Sequence, residues 1–319
     1  MNPLKSIINL VALVFLFNGC GEKRFEAIDV PSADANKLVL YASFEASNLS
    51  GSYVFLTRTN QIGKVIKWDF NIFSILIRDT SGKGKSYTSQ GSGIYFDTVV
   101  GASIKLYRND TLLTEVQKSP TGPDGVFRIG KADAMKADDV YKIVASAPNF
   151  TTIESSQKVP QSIKPNRVFY SGREFKGEYS NTFKELVIEF DDPPNVENYY
   201  EIAVTRLDSS YLESSVSAKQ VDPNSIGFTL LSDKNFNGKK YQWKIGVDAL
   251  SADSTYYRGL YVYFVAANRD YEAFTKTNRL LSEAQSNPFI EPFQPFSNVK
   301  NGYGFFMVFG QQSRTFLKN

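Results

Sequence analysis

VGASIKLYRND at residues 100–110, SPTGPDGVFRIG at 119–130 and YKIVASAPNFTTIESSQKVP at 141–160 give strand, turn, strand, short excursion and strand. In the first stretch Ile104 and Leu106 alternate with Ser103, Lys105 and Tyr107, the period-two pattern of a strand with one buried face. Asn109-Asp110 ends it with residues that tolerate the backbone of a tight turn. Pro123-Asp124-Gly125 sets a second turn before VFRI, and polar residues 131–139 separate that strand from YKIVAS. Short strands punctuated by turn residues predict a mainly β chain of sandwich-like sheets.

The same pattern extends outward in both directions. KLVLYASFEA at 37–46 and SYVFLTRT at 52–59 are half-buried strands on the N-terminal side, and the Gly/Ser/Thr cluster DTSGKGKSYTSQGSG at 79–93 predicts a long exposed loop. Pro160 and Pro165 bracket a domain boundary. Beyond it, KELVIEFDDPP at 184–194 and NYYEIAVTRL at 198–207 form a strand, a Pro turn and a strand, and residues 227–232, 240–248 and 260–267 supply three more strands. One helix is expected, with Asn268 as N-cap, Asp270 and Glu272 in the first turn, and Tyr271, Phe274 and Leu281 on one face. Pro288, Pro292 and Pro295 force an extended segment, and GYGFFMVFGQQ at 302–312 closes the chain as a final strand. The expected architecture is two β-sandwich-like, Ig-like domains, residues 37–160 and 161–319, the second carrying one amphipathic helix.

Composition removes several kinds of chemistry. The chain has no histidine, which excludes serine-histidine-acid and cysteine-histidine catalysis, and its single cysteine excludes zinc sites built on Cys clusters. A formal net charge of +3 over 319 residues is close to balance, and the basic residues are scattered, so nucleic acid is not an expected partner. No cofactor is implied. That one cysteine, Cys20, follows the apolar run IINLVALVFLF at 7–17, with Lys5 before the run and small Gly19 just ahead of the cysteine. This is the layout of a bacterial lipoprotein start: residues 1–19 as signal peptide, Cys20 lipidated, and polar residues 20–36 as a tether. The apolar run is shorter than the roughly 20 residues that span a bilayer.

Candidate sites are few. Asp233-Lys-Asn235-Phe-Asn237-Gly238 opens like a calcium loop, but Lys244 stands where a bidentate Glu is needed, and a hairpin with Asn-Gly at its turn is the simpler reading. Gly84-Lys85-Ser86 ends like a phosphate-binding loop, yet Asp79 falls where the first glycine belongs. Asp191 and Asp192, with Glu189, form the best carboxylate cluster for acid/base work, against the plainer role of capping the turn before Pro193-Pro194. In YYRGLYVYFV at 256–265, Tyr257, Tyr261 and Tyr263 share one face with Gly259, and Leu260, Val262 and Phe264 share the other, so one aromatic row is a candidate binding surface. Tyr199-Tyr200, Tyr256, Trp68 and Trp243 are further aromatics of interest, most of them expected in the core.

Two resemblances follow from these residues. Gly101, Ala102, Ile104, Leu106, Asp124, Gly125, Phe127, Tyr141, Ile143, Ala145 and Phe150 match the pattern of small Ig-like modules described as carboxypeptidase regulatory-like domains, with Asn149 in place of a glycine. FDDPPNVENYYEI at 190–202, SDKNFNGKKYQWKI at 232–245 and EPFQPFSNVKNGYGFF at 291–306 resemble a family of Bacteroidota outer-membrane lipoproteins catalogued as a domain of unknown function. Ser297-Asn298-Val299 followed by Asn301-Gly302-Tyr303-Gly304 is the most specific piece of that likeness, and residues 62–98 look like an insertion relative to it. The resemblance implies a non-enzymatic, lipid-anchored outer-membrane protein, with the cell surface favoured over the periplasmic face. Its implied partner is a TonB-dependent receptor, for which it would capture a ligand of unspecified identity. Tyr257, Tyr261, Tyr263, Asn298 and Asn301 are the binding candidates. The alternatives are a carboxylate-dependent glycan hydrolase and a structural or adhesive Ig-like surface protein.

Overall fold

The structure, a computed structural model, describes residues 36–50, 52–59, 99–119, 125–177, 181–208, 213–216, 218–226, 229–252, 257–286 and 296–318. Cys20 with the rest of residues 1–35, the 62–98 insertion with Trp68 and Gly84-Lys85-Ser86, Asp124, Tyr256 and the side chain of Leu281 lie outside the described residues. The chain is mainly β, and among the described residues a single helix is longer than one turn, as expected. Among the described residues no helix is long and apolar enough to cross a membrane.

The first sheet collects β1 (Leu38–Glu45), β2 (Tyr53–Arg58), β3 (Ser103–Arg108), β4 (Thr111–Lys118), β5 (Val126–Arg128), β6 (Val140–Ser146) and β7 (Ile153–Lys158). Asn109 and Asp110 both adopt positive φ, 47° and 61°, which is what a tight turn between β3 and β4 requires. Asn149, standing where the regulatory-like pattern has glycine, likewise sits at φ 65°. The inward set Leu38, Leu40, Phe44, Leu56, Ile104, Leu106, Phe127, Tyr141 and Ile143 forms one core, so the apolar alternation in the sequence marks the buried face correctly.

The second half builds two sheets. β8 (Arg167–Lys176), β9 (Thr182–Asp191), β12 (Ala218–Gln220) and β15 (Lys240–Asp248) form one, in the order β12-β15-β9-β8. β10 (Tyr199–Asp208), β13 (Ser225–Ile226), β14 (Leu230–Ser232), β16 (Tyr257–Ala267) and β18 (Ser313–Lys318) form the other, in the order β13-β14-β10-β16-β18, with β11 (Glu213–Ser215) paired to β10. Ile188, Phe190, Tyr200, Ile202, Trp243, Ile245, Val262 and Phe264 fill the core shared by these two sheets. The helix α1 (Arg269–Ser286) starts where expected, and the Asn268 side chain accepts a hydrogen bond from the Tyr271 amide at 3.3 Å.

The main departure concerns the end of the chain. GYGFFMVFG is not the final strand, since β18 follows it, and β17 (Tyr303–Phe309) does not join the second half's sheets. It pairs in parallel with β1, Val39 opposite Tyr303 through Glu45 opposite Phe309, and so completes the first sheet as β17-β1-β2-β5-β4-β3-β6-β7. Residues 161–319 therefore do not close separately from 37–160, and Asn36–Asn319 packs as one compact unit. The sequence of β17 explains why. Phe306 and Val308 enter the first core, while Phe305, Met307 and Phe309 enter a third, which they share with Tyr199, Ala203, Tyr263 and Val265 of the second half and Tyr271 and Phe274 of α1. A run that is apolar on both faces needs cover on both, and a parallel strand between two cores supplies it. Each of those three buried side chains is worth about 1.5–3 kcal/mol of transfer free energy, enough to weld the two halves.

The closing motif fastens this weld. Asn298 uses its amide as a surrogate peptide group: Oδ1 accepts from the Phe306 amide at 2.9 Å and Nδ2 donates to the Phe306 carbonyl at 2.9 Å, on the edge of β17 away from β1. The same Nδ2 donates to Asp270 of α1 at 2.8 Å, and the Asn298 carbonyl accepts from Ser155 of β7 at 2.8 Å. Gln157 of β7 also donates to Asp270 at 2.6 Å and accepts from Asn268. Asn301 takes the turn at φ 60° and reaches the Thr152 carbonyl at 3.4 Å. Asn298 and Asn301, expected as binding residues, are thus engaged inside the fold. Replacing Asn298 with alanine strands two backbone groups of Phe306 and should lower unfolding free energy by about 2–3 kcal/mol in a urea titration; an unchanged midpoint would show that the clasp carries no stability.

Candidate functional site

Strand register assembles a cleft at one end of the second half. Tyr199, first residue of β10, lies opposite Ser232 at the end of β14 and opposite Ala267 at the end of β16. β16 then passes through Asn268 into α1, and β14 runs into a short 3-10 turn, Asp233–Asn235. Arg269, Glu272 and Lys276 stand at helix spacings of three and four and share a face of α1. With Glu197, Tyr199, Ser232, Asp233, Lys234 and Asn237 they line a cleft of about 450 Å³.

The floor of the cleft rests on a buried polar clasp. Asp233 Oδ2 accepts from the Asn198 amide at 2.8 Å, from Asn198 Nδ2 at 3.3 Å and from Asn237 Nδ2 at 3.1 Å. Asp192 Oδ2 accepts from the Gly238 amide at 2.7 Å, and its Oδ1 accepts from the Tyr200 hydroxyl. Gly238 adopts φ 73°, and a Cβ there would meet Pro194 at 2.9 Å, so this residue closes the connection. The segment is not the hairpin that Asn-Gly predicts: β14 and β15 belong to different sheets, and Asn237 is engaged in hydrogen bonds rather than in a left-handed turn. Lys244, at the position a calcium loop reserves for Glu, lies within β15. Among the described residues no group of three or more His, Cys, Asp or Glu is placed to hold a metal ion.

The electrostatics of the cleft are mixed. Burial pushes the Asp233 carboxyl above its usual range, its bonds to Asn198 oppose this, and the neighbouring Asp192 adds to it. The Tyr199 hydroxyl donates to Glu197 at 2.7 Å, and burial followed by its bonds to Glu197 and Glu272 raises its pKa. Glu272 pairs with Lys276 at 2.5 Å; burial works against ionisation there, but the bonds from Lys276 and Tyr199 hold its carboxyl below the usual range. Lys234 and Arg269 make no ion pair among the described residues.

The residues singled out from sequence fall elsewhere. Asp191 is exposed and accepts from Asn166 at 2.9 Å, while Asp192 is buried in the clasp, so the pair does not face a common substrate space. In the tyrosine row, Tyr263 is buried and donates to Glu213 at 2.6 Å, which corrects its expected exposure. Tyr261 lies half-buried with the Arg314 guanidinium 3.7 Å from its ring centroid, and Tyr257 is half-buried with Arg206 at 4.6 Å. Arginines thus cap the two half-buried members of the row. The cleft itself was legible only in fragments, the Asp-Lys-Asn-Phe-Asn-Gly segment and the acidic first turn of α1, because register over long sequence separations joins them.

Among the described residues, three β-sheets and a helix that walls a charged cleft define the class of protein. The chain belongs to the family described as Domain of unknown function (DUF4249), whose model matches residues 25–315. No curated protein matches it. Among solved structures it is similar to the apo structure of Bacteroides uniformis beta-glucuronidase 3, at 7% identity and a TM-score of 0.20, over 73% of this chain. The chain spans 23% of that protein's length, and a likeness at this TM-score carries no argument about fold or activity.

Proposed function

We propose that the chain is a non-enzymatic outer-membrane lipoprotein, anchored through Cys20, that works beside a TonB-dependent receptor by capturing a ligand for it. The observation that carries this reading is the lone cysteine set directly behind the apolar run 7–17. The resemblance carried by the closing segments implies that location and that neighbourhood. The cleft beside α1 offers a place for a ligand. The cell surface is the favoured face.

Anchoring is tested by Cys20→Ser in a tagged full-length chain. The variant should move from the outer-membrane fraction to the soluble fraction and lose incorporation of labelled palmitate, with unchanged thermal stability. A variant that stays with the membrane, or a wild-type chain that takes up no label, would overturn the anchor and the reading built on it.

A further inference from the structure

One carboxylic acid is enclosed where α1 meets the sheet. Glu201 is 4% exposed and stands between Tyr199 and Ala203 on the face of β10 that looks into the third core. Its Oε2 has no hydrogen-bond partner, and the Tyr271 hydroxyl of α1 donates to its carboxyl. An ionised carboxylate without water is far costlier there than the neutral acid. The elements around this core bring other titratable groups: Tyr199 from β10, Tyr263 from β16, Tyr41 from β1 and Tyr271 from α1, each hydroxyl pushed up by burial. From β14 and β17 come the apolar Leu230, Phe305, Met307 and Phe309. Glu213 and Arg314 act on Tyr263, and Glu197 and Glu272 act on Tyr199, whereas burial and the Tyr271 hydroxyl act on Glu201.

Water can reach Glu201 only if a cover moves, and the covers are not equally held. β10 is paired on both sides, to β14 and β16, and β17 is paired to β1 from Tyr303 through Phe309. The helix has no strand ladder. Among the described residues α1 enters the third core through Tyr271 and Phe274, and Asp270 ties it to Gln157 and Asn298 by polar bonds that water can replace at modest net cost. Arg269, Glu272 and Lys276 of the same helix form one wall of the cleft.

We propose that α1 is a proton-controlled flap, latched onto β10 by the neutral Glu201 side chain and released, with its wall of the cleft, when Glu201 loses its proton. Burial pushes the Glu201 carboxyl up to about 8 while α1 is docked, and a lifted helix returns it toward the ordinary 4.5. Docking therefore takes up a proton: it is strongest below about 4.5 and weakens as pH rises through the window to about 8. The cleft is complete on the acidic side of that window and opens on the alkaline side.

The test is hydrogen–deuterium exchange read by mass spectrometry on the full chain in detergent, from about pH 5 to about pH 8, with protection referred to an unstructured chain at the same pH. Protection of residues 269–286 should fall by up to about tenfold per pH unit, while β10 and β17 keep theirs. Glu201→Gln should hold the protection of α1 constant across the range, and Glu201→Met, equally unable to ionise, replaces it if glutamine disturbs folding. Protection of α1 that does not change with pH in the wild type would overturn the proposal. So would a loss shared equally by β17, which would mean that Glu201 ionises only by global unfolding, or the same loss in a folded variant. The comparison of α1 with β17 within the wild type decides the matter even where neither variant folds.

Discussion

Gly304→Ala should prevent the chain from folding at 37 °C, with a loss of at least about 4 kcal/mol, a size reached by single substitutions only through gross steric or burial faults. Gly304 lies opposite Leu40 in the parallel β1–β17 pair at φ 102°, a backbone that L side chains rarely adopt. An added Cβ would fall 1.9 Å from the Leu40 carbonyl oxygen and 2.9 Å from the Leu40 nitrogen, both backbone atoms that cannot swing aside. The strand would have to leave β1, and Phe306 and Val308 would leave the first core while Phe305, Met307 and Phe309 leave the third. The check is soluble yield and far-UV circular dichroism of the variant. A folded Gly304→Ala with wild-type thermal stability would mean that β17 does not lie against β1.

Glu201→Gln should abolish a loss of stability that the wild type shows as pH rises from about 4.5 to about 8. Glu201 sits on the α1-facing side of β10, opposite Val265 and Leu230, within the third core, and its Oε2 has no hydrogen-bond partner. Burial pushes its carboxyl up to about 8, with the Tyr271 hydroxyl donating to it and pulling the other way. Burial also raises the pKa of Tyr199, Tyr263, Tyr41 and Tyr271 on this core, which favours their neutral forms. A folded pKa raised above the unfolded 4.5 means that the folded state keeps a proton the unfolded state releases. Its stability is therefore full below about 4.5 and falls as pH rises through the window to about 8, by about 3 kcal/mol at pH 7. Glutamine cannot ionise and keeps an acceptor for Tyr271. Urea titrations should find wild type the more stable at pH 4.5 and Glu201→Gln the more stable at pH 8; parallel curves across that range would refute the buried, neutral carboxyl.

Local structure was legible where the chemistry is local. Asn268 as N-cap, the Asn109-Asp110 turn and the alternation of Ile104 and Leu106 each follow from a few adjacent residues. GYGFFMVFG was legible as a strand, but its parallel partner lies more than 250 positions earlier, and nothing in either run names the other. The same limit hid the weld between the halves, and with it the division at 160–161. The closing motif drew attention for the right residues and the wrong reason: Asn298, Asn301 and Gly304 are demanding because backbone geometry needs them, a signal that sequence alone does not separate from ligand binding. Tyr263 was misplaced because period two tells which face a residue takes, and not that α1 and β17 would cover that face. The cleft was out of reach for a related reason, since Glu197, Asp233 and Arg269 meet only through the registers of β10, β14 and β16.

The central claim, a lipid-anchored partner of a TonB-dependent receptor, is tested most directly by purifying the tagged chain from detergent-solubilised outer membranes and identifying by mass spectrometry what accompanies it. The account predicts a TonB-dependent receptor at near-equal stoichiometry, lost when Cys20→Ser removes the anchor. Recovery of the chain alone, in a detergent shown to preserve another receptor–lipoprotein pair, would contradict it.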